Sequence, residues 1–355
     1  MLQMYLASME DVFRQPNVVA LRDRVRDSKR VVLTAHRSPD GDAVGSCLAL
    51  RHLLAGMGVA SDVVLPDAYP AFLHWMPGHD EIVLHESDSQ RAERLMGQAD
   101  LVFCLDFNAV SRAGGLSESL QRACEGNAYV VMIDHHQEPE AFADLVLSDP
   151  KAGSTAELVH RLMHAWDESK VLTADMAACL YCGLVTDTGS FRFPSVGPHT
   201  HLMAAELLAT GMDHSRIHSL VYDTNRLEQV QLTAYALSEK LRVHVAHRAA
   251  ILSLSLEELA RYQAQKGDTE GLVNRALSIQ GVNLAVFVKE DVGRVKLSFR
   301  SRGSFSVRDV AAAHFHGGGH HNAAGGACEG ETLDEVVQRL EALLPSWSSQ
   351  LQYDD

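Results

Sequence analysis

The sequence lacks any run approaching the ~20 apolar residues of a membrane span. Its first residues, MLQMYLASMEDVF, have neither the basic start nor the small-residue cleavage site of a secretory signal. Both absences lead to the expectation of a cytoplasmic protein with no membrane partner. Cationic residues are also in deficit, with 31 Lys and Arg against 46 Asp and Glu and a net charge of −15. Long nucleic acid is gripped through many Lys and Arg contacts to phosphate, so the balance argues against a broad phosphate-gripping surface. It suits either a short substrate held at a few points, with part of the negative charge in a metal site, or acidity that simply keeps the protein soluble. Cysteine is sparse, six residues scattered along the chain, several inside apolar runs where a thiol acts as a small hydrophobe. Cys179 and Cys182 form a CxxC without a second pair, which reads as two buried thiols on a helix. No internal repeat or low-complexity tract is present.

At 355 residues the chain exceeds what one hydrophobic core usually organises, so two domains are expected. The most informative stretch is RVVLTAHRSPDGDAVGSCLA, Arg30 to Ala49. Val31, Val32 and Leu33 suit a buried parallel strand, Pro39 and Gly41 break the pattern, and Ala43 to Gly56 reads as a helix. His36, Asp40 and Asp42 therefore fall on a strand-to-helix loop, where open α/β sheets build their sites. One imidazole and two carboxylates suit a hard or borderline ion such as Mn²⁺ or Mg²⁺. Alone, this spacing is also that of an ordinary turn. Three further apolar runs end on potential ligands: ADLVFCLDF at Asp106, AYVVMIDHH at Asp134, His135 and His136, and ACLYCGLVTDTG at Asp187. So many desolvated carboxylates side by side require cations, and a two-metal site is the economical reading.

HRSPDGD, LDFNAVSR, IDHH and TDTGSF, in that order, resemble the four motifs of the DHH phosphoesterases. GGGHHNAAGG, Gly317 to Gly326, resembles the glycine-rich signature of the DHH-associated substrate domain of RecJ-like and NrnA-like nucleases. The resemblance implies that His36, Asp40 and Asp106 hold one ion and Asp42, Asp106, His135 and Asp187 a second, so that Asp106 bridges. It implies Asp134 as a residue orienting the His ligands, and His136 as the group that meets the scissile phosphate and protonates the leaving 3′ oxygen. Arg112 and Arg192, following motif aspartates, are either phosphate contacts or solvated surface arginines. In the C-terminal part, Gly317, Gly318, Gly319 and His320, with Arg300 and Ser301, are implied to hold the substrate's terminal phosphate or base. His316 and His321 lack an assigned role.

The expected fold is α/β: an N-terminal parallel-sheet catalytic domain over 1–195, a linker and connecting helix over 196–242, and a smaller C-terminal α/β substrate domain with a mixed sheet over 243–345. Met176, Leu180 and Leu184 recur at four-residue spacing, so Asp187 should arrive from a helix end. Ser154 or Thr155 should cap a helix beginning at GSTAEL. An initial helix reaching about Ser28 should bury Val12, Val18, Leu21 and Val25, and the tail SSQLQYDD should fray. The function implied is hydrolysis of very short RNA, dinucleotides included, to nucleoside 5′-monophosphates with two divalent cations, Mn²⁺ before Mg²⁺. Removal of the 3′-phosphate of phosphoadenosine phosphate is a second activity of the same kind. A cleft between the domains would limit substrate length, and the family implies a homodimer. Alternatives are cleavage of cyclic dinucleotides or their linear products, a RecJ-like exonuclease, an inorganic pyrophosphatase or polyphosphatase, and a nucleotide-binding protein on an inactive scaffold.

Overall fold

The first strand, β1 (Val31–Ala35), is buried at all five positions, the pattern of a strand covered on both faces. The computed structural model describes residue 13 and residues 15–352, and among these two compact units divide between Thr224 and Asn225. In the first unit β1 is joined by β2 (Ser61–Leu65), β3 (Val83–Leu84), β4 (Leu101–Leu105), β5 (Tyr129–Asp134) and β6 (Leu145–Ser148). Their order is β3-β2-β1-β4-β5-β6, and every pairing is parallel. The chain winds outward from β1 to β3 and then returns to β4 on the other side. Connections therefore diverge above β1 and β4, and open sheets place their ligands in the crevice at such a point.

The helices of this unit are α1 (Pro16–Asp27), α2 (Gly41–Gly56), α3 (Ser89–Gln98), α4 (Ser117–Glu125), α5 (Thr155–Ala165), α6 (Ala174–Asp187), α7 (Pro198–Ala209) and α8 (His214–Tyr222). One apolar layer holds Leu33 and Leu105 against Val44, Leu48, Leu162 and Leu180. The layer on the other face joins Val32 and Val102 to Met96 and Leu120. Each such aliphatic side chain contributes ~1.5–3 kcal/mol by leaving water. Val18, Leu21 and Val25 are buried on α1, and Val12 lies outside the described residues.

Helices α2 and α6 approach so closely that neither tolerates a side chain at the crossing. A Cβ added at Gly45 would lie 2.6 Å from the Cys179 carbonyl oxygen, and one added at Gly183 would lie 2.7 Å from Asp42 Oδ1 and 2.9 Å from Ala156 Cβ. We expect Gly183→Ala to destabilise by about 2 kcal/mol, lowering the thermal midpoint by roughly 4–8 °C. A melting curve of the variant checks this; an unchanged midpoint would show that the helices separate freely.

The second unit comprises α9 (Leu227–Tyr235), β7 (Leu241–His244), β8 (Ala249–Leu254), α10 (Leu256–Arg261), α11 (Leu272–Leu277), β9 (Leu284–Asp291), β10 (Arg294–Ser301), α12 (Val307–His314), β11 (Gly318–His320), β12 (Ala323–Glu329) and α13 (Leu333–Leu351). Its sheet order is β11-β12-β10-β9-β8-β7, with β8 and β9 parallel and the other pairs antiparallel, so the sheet is mixed. On β10, Val295, Leu297 and Phe299 alternate inward to meet Val336, Leu340 and Leu344 of α13.

The sequence differs from the structure in its connections. Residues 196–242, read as linker and connecting helix, divide between the units. A continuous helical pattern from His201 towards Leu241 resolves into α7, α8 and α9, interrupted at Gly211 (φ 84°) and restarted where Asp213 caps α8 by accepting from the Arg216 amide. The tail expected to fray instead continues α13 to Leu351, because Trp347 and Leu351 are buried in the second core. Residues 353–355 lie outside the described residues.

Candidate metal centre

The ends of β1, β4 and β5 and the end of α6 bring the candidate ligands together. His36 follows β1, Asp106 follows β4, His135 follows β5, and Asp187 is the last residue of α6. Asp40 caps α2, its Oδ1 accepting from the amides of Asp42 (3.0 Å) and Ala43 (3.1 Å), so the turn that made the motif ambiguous is real and also aims its other oxygen. Two donor sets result, His36–Asp40–Asp106 and Asp42–His135–Asp187, each with ligand atoms within 4.8 Å of one another. Asp106 faces both: Oδ2 lies 3.3 Å from His36 Nε2, and Oδ1 lies 3.5 Å from His135 Nε2. His135 Nε2 is also 3.3 Å from Asp187 Oδ2.

Both imidazoles are oriented from behind. His36 Nδ1 lies 2.8 Å from its neighbour's carbonyl, Arg37 O, and His135 Nδ1 lies 3.2 Å from Ala152 O. Donation of Nδ1–H to these carbonyls leaves Nε2 as the atom presented to a cation. Asp106 itself adopts φ 65°, a left-handed backbone that Asp tolerates better than most residues and that turns its carboxylate out of the β4 ladder.

Three supports escaped sequence reasoning. Asp42 Oδ2 accepts from the Thr155 amide at 2.6 Å and Oδ1 from the Ala156 amide at 2.9 Å, so a carboxylate from α2 sits on the N-terminus of α5. Ser46 Oγ donates to Asp42 Oδ1 at 3.2 Å, and Thr155 Oγ1 donates to Asp106 Oδ1 at 2.9 Å. The signal available was GSTAEL, read only as a helix start; Ser154 is indeed the cap, accepting from the Glu157 amide, which leaves Thr155 to serve the site.

Charge crowding governs the ionisation of these groups. Burial, then the Asp106 and Asp187 carboxylates, push Asp42 well above the usual carboxylate range. Desolvation, opposed by His135 and reinforced by Asp106, pushes Asp187 up to about 6. Burial alone would depress His135, but Asp187, Asp106 and Asp42 outweigh it and raise it to about 9. Burial would likewise raise Asp106, yet the His36 hydrogen bond and the nearby His136 and His135 hold it well below the usual range. Such a cluster, rich in carboxylate and completed by imidazole Nε2 atoms, fits divalent cations of the Mn²⁺ or Mg²⁺ type.

The remaining candidates are placed as follows. Asp134 is fully buried and its Oδ1 lies 2.6 Å from His136 Nδ1, so this carboxylate orients His136, while His135 is held by a backbone carbonyl. Asp134 Oδ2 is buried without a hydrogen-bond partner among the described residues. Arg112 lies near enough to His36 to oppose its protonation. Arg192 is exposed, with Nε donating to Gly189 O at 2.8 Å, in a turn where Gly189, Ser190 and Phe191 all have positive φ.

In the second unit, the glycine run forms the β11–β12 hairpin. A Cβ at Gly317 would collide with the Gly325 carbonyl, and one at Gly326 would lie 2.7 Å from Phe315 O, so these glycines serve close backbone packing. A Cβ added at Gly318 would meet nothing within 4 Å, and the residue is exposed. Gly319 (φ 140°) and His320 continue the same strand. Ser301 is buried, its hydroxyl donating to Phe305 O (2.7 Å) and accepting from Asn322 Nδ2 (2.9 Å), so donating to a substrate phosphate would require breaking its bond to Phe305 O. Arg300 is partly buried, with Nη1 donating to Phe299 O at 2.9 Å.

Residues 30–184 match the DHH family, N-terminal domain, and residues 248–345 match the DHHA1 domain. The bifunctional oligoribonuclease and PAP phosphatase NrnA of Thermus thermophilus is 32% identical over 316 residues, covering 88% of this chain and 89% of that protein. The crystal structure of an exopolyphosphatase-related protein from Bacteroides fragilis superposes with a TM-score of 0.90 at 36% identity, covering 96% of this chain and 98% of that one. RecJ of Thermus thermophilus, solved with Mn²⁺, shares the fold at a TM-score of 0.55 and 16% identity, covering 97% of this chain and 55% of that one. No helix among the described residues is long and apolar enough to cross a membrane. With both domains matched and the similarity running nearly end to end, the chain belongs to the DHH family of phosphoesterases.

Proposed function

We propose that the protein hydrolyses very short oligoribonucleotides to nucleoside 5′-monophosphates and removes the 3′-phosphate of phosphoadenosine phosphate. The observation that carries this reading is Asp106, which turns one oxygen to each of two donor sets at the divergence point of the sheet. It is supported by the Thermus thermophilus relative, whose name gives both activities. His36, Asp40 and Asp106 would hold one divalent cation and Asp42, Asp106, His135 and Asp187 the other, with Mn²⁺ the proposed metal. When bound, the pair would supply Lewis acidity to the phosphoryl oxygens and lower the pKa of the attacking water. Thr155 and the amides of α5 keep Asp106 and Asp42 in place while charge develops, so little reorganisation is needed. His136, fixed through Nδ1 by Asp134, is the proposed donor of a proton to the leaving 3′ oxygen. Arg112, Arg192, Arg300, Gly317, Gly318, Gly319 and His320 are the proposed substrate contacts, and a homodimer is the proposed assembly.

A second reading, phosphoanhydride cleavage, is favoured by the likeness to the exopolyphosphatase-related protein. One time course with Mn²⁺ separates the two, comparing a 5′-phosphorylated RNA dinucleotide, phosphoadenosine phosphate, long single-stranded DNA, pyrophosphate and polyphosphate at equal concentration. Rapid conversion of the dinucleotide with slow loss of the long strand is expected. Preference for pyrophosphate or polyphosphate would transfer the chain to the second reading, and preference for the long strand would make it an exonuclease.

A further inference from the structure

A second cluster of metal-binding side chains lies along the seam between α5 and α7. His160 and His164 are four residues apart, one helical turn, so both rings stand on the same face of α5 with centroids 4.7 Å apart. Glu206 of α7 reaches between them: its Oε2 is 3.1 Å from His160 Nε2 and 2.9 Å from His164 Nε2. Three ligand atoms thus converge within 4.8 Å of one another. None belongs to the motifs that build the centre at the sheet.

We propose that His160, His164 and Glu206 form a separate binding site for a transition-metal ion of the Zn²⁺ type, which joins α5 to α7. The donor chemistry distinguishes it from the first centre. Two imidazoles and one carboxylate match the borderline-soft preference of Zn²⁺, whereas a centre dominated by aspartates suits Mn²⁺ or Mg²⁺. Three protein ligands leave a tetrahedral ion one position for water. Access fits this count, since His164 and Glu206 side chains are 25% and 24% exposed while His160 is only 4% exposed. One ligand is therefore anchored in the core, and the other two form the mouth.

The seam around the site is already ordered. Glu157, one turn before His160, accepts from Thr200 Oγ1 at 3.0 Å, and its Oε1 lies 3.3 Å from His199 Nδ1, so the start of α7 is fixed against α5. Ligands held on two braced helices need little rearrangement to close on an ion. The metal-free alternative is that Glu206 simply accepts two N–H bonds, which the same distances permit. A bound ion would also stiffen α5, whose first turn carries Thr155 and Ala156 beneath Asp106 and Asp42.

Full-length protein stripped with a chelator and reloaded with saturating Mn²⁺ provides the test. Zn²⁺ uptake is measured by equilibrium dialysis with elemental analysis, alongside thermal unfolding, and Co²⁺ is used in parallel for its visible absorption. The expected result is one zinc equivalent beyond the manganese, a thermal midpoint raised by several degrees, and a tetrahedral Co²⁺ spectrum. That equivalent should persist in Asp106→Asn and vanish in both His164→Ala and Glu206→Gln. Because His164 and Glu206 are partly exposed, folding of those variants is checked by their circular dichroism and their Mn²⁺ uptake. Zinc uptake that is the same in wild type, His164→Ala and Glu206→Gln, or no uptake beyond the manganese, would overturn the site and leave a hydrogen-bonded His–Glu–His cluster.

Discussion

Asp106→Asn is expected to lower kcat by about a thousandfold, on the order of 4 kcal/mol of transition-state stabilisation. The substitution changes almost no volume. It removes the charge from the one side chain that faces both donor sets, with Oδ2 at 3.3 Å from His36 and Oδ1 at 3.5 Å from His135. Thr155 can still donate to the remaining amide oxygen, so the turn after β4 should keep its shape. In the metal-free protein two effects oppose each other. Attraction to His36, His136 and His135 is lost, but repulsion on Asp42 and Asp187 is relieved. The thermal midpoints of metal-free wild type and variant should therefore differ by only a few degrees. The large difference should appear on adding Mn²⁺, which stabilises wild type through mass action and should stabilise the variant far less. Turnover above a tenth of wild type at saturating Mn²⁺ would remove Asp106 from the bridging position.

What could be read from sequence were the groups that interrupt apolar runs. A strand such as VVLTA ends visibly at His36, and a helix periodicity set by Met176, Leu180 and Leu184 delivers Asp187 at its end. Periodicity is a property of neighbours in the chain, and the ligands are carried by it. The supports are not. Asp42 meets Thr155 across a sequence separation of 113 positions, and nothing in the spacing of either residue announces the other. Left-handed φ at Asp106 is equally silent, because Asp occurs in ordinary turns for the same reason. Short edge strands were lost as well: LVLS, paired through Val131–Asp134 to the end of β5, is too brief to give a pattern. In GGGHHNAAGG, the family resemblance implied a phosphate- or base-holding loop; Gly317 and Gly326 are in addition required where backbone passes backbone. Cβ clearances distinguish those from Gly318, and sequence cannot.

Mn²⁺ binding is expected to release protons and to tighten as pH rises. His135 in the metal-free cluster is raised to about 9, so near neutral pH it carries a proton on each ring nitrogen. Its Nδ1–H remains on Ala152 O, and a cation at Nε2 must expel the other proton. One proton displaced by the ion at the second donor set makes that ion's apparent affinity climb about tenfold per pH unit until roughly pH 9, above which the proton has already left and the curve flattens. Towards acid the slope should steepen, because Asp187, pushed up to about 6, and Asp42, also raised by its burial, take protons that the ion must also displace. Calorimetric titration of the chelator-stripped protein in two buffers of different ionisation enthalpy counts the protons directly. About one proton released by His135 on filling the second donor set near pH 7.5, lost in His135→Ala, is the expected outcome. Affinity independent of pH on both sides of neutrality would mean that His135 keeps its proton with the metal bound, and the second donor set would then reduce to its carboxylates.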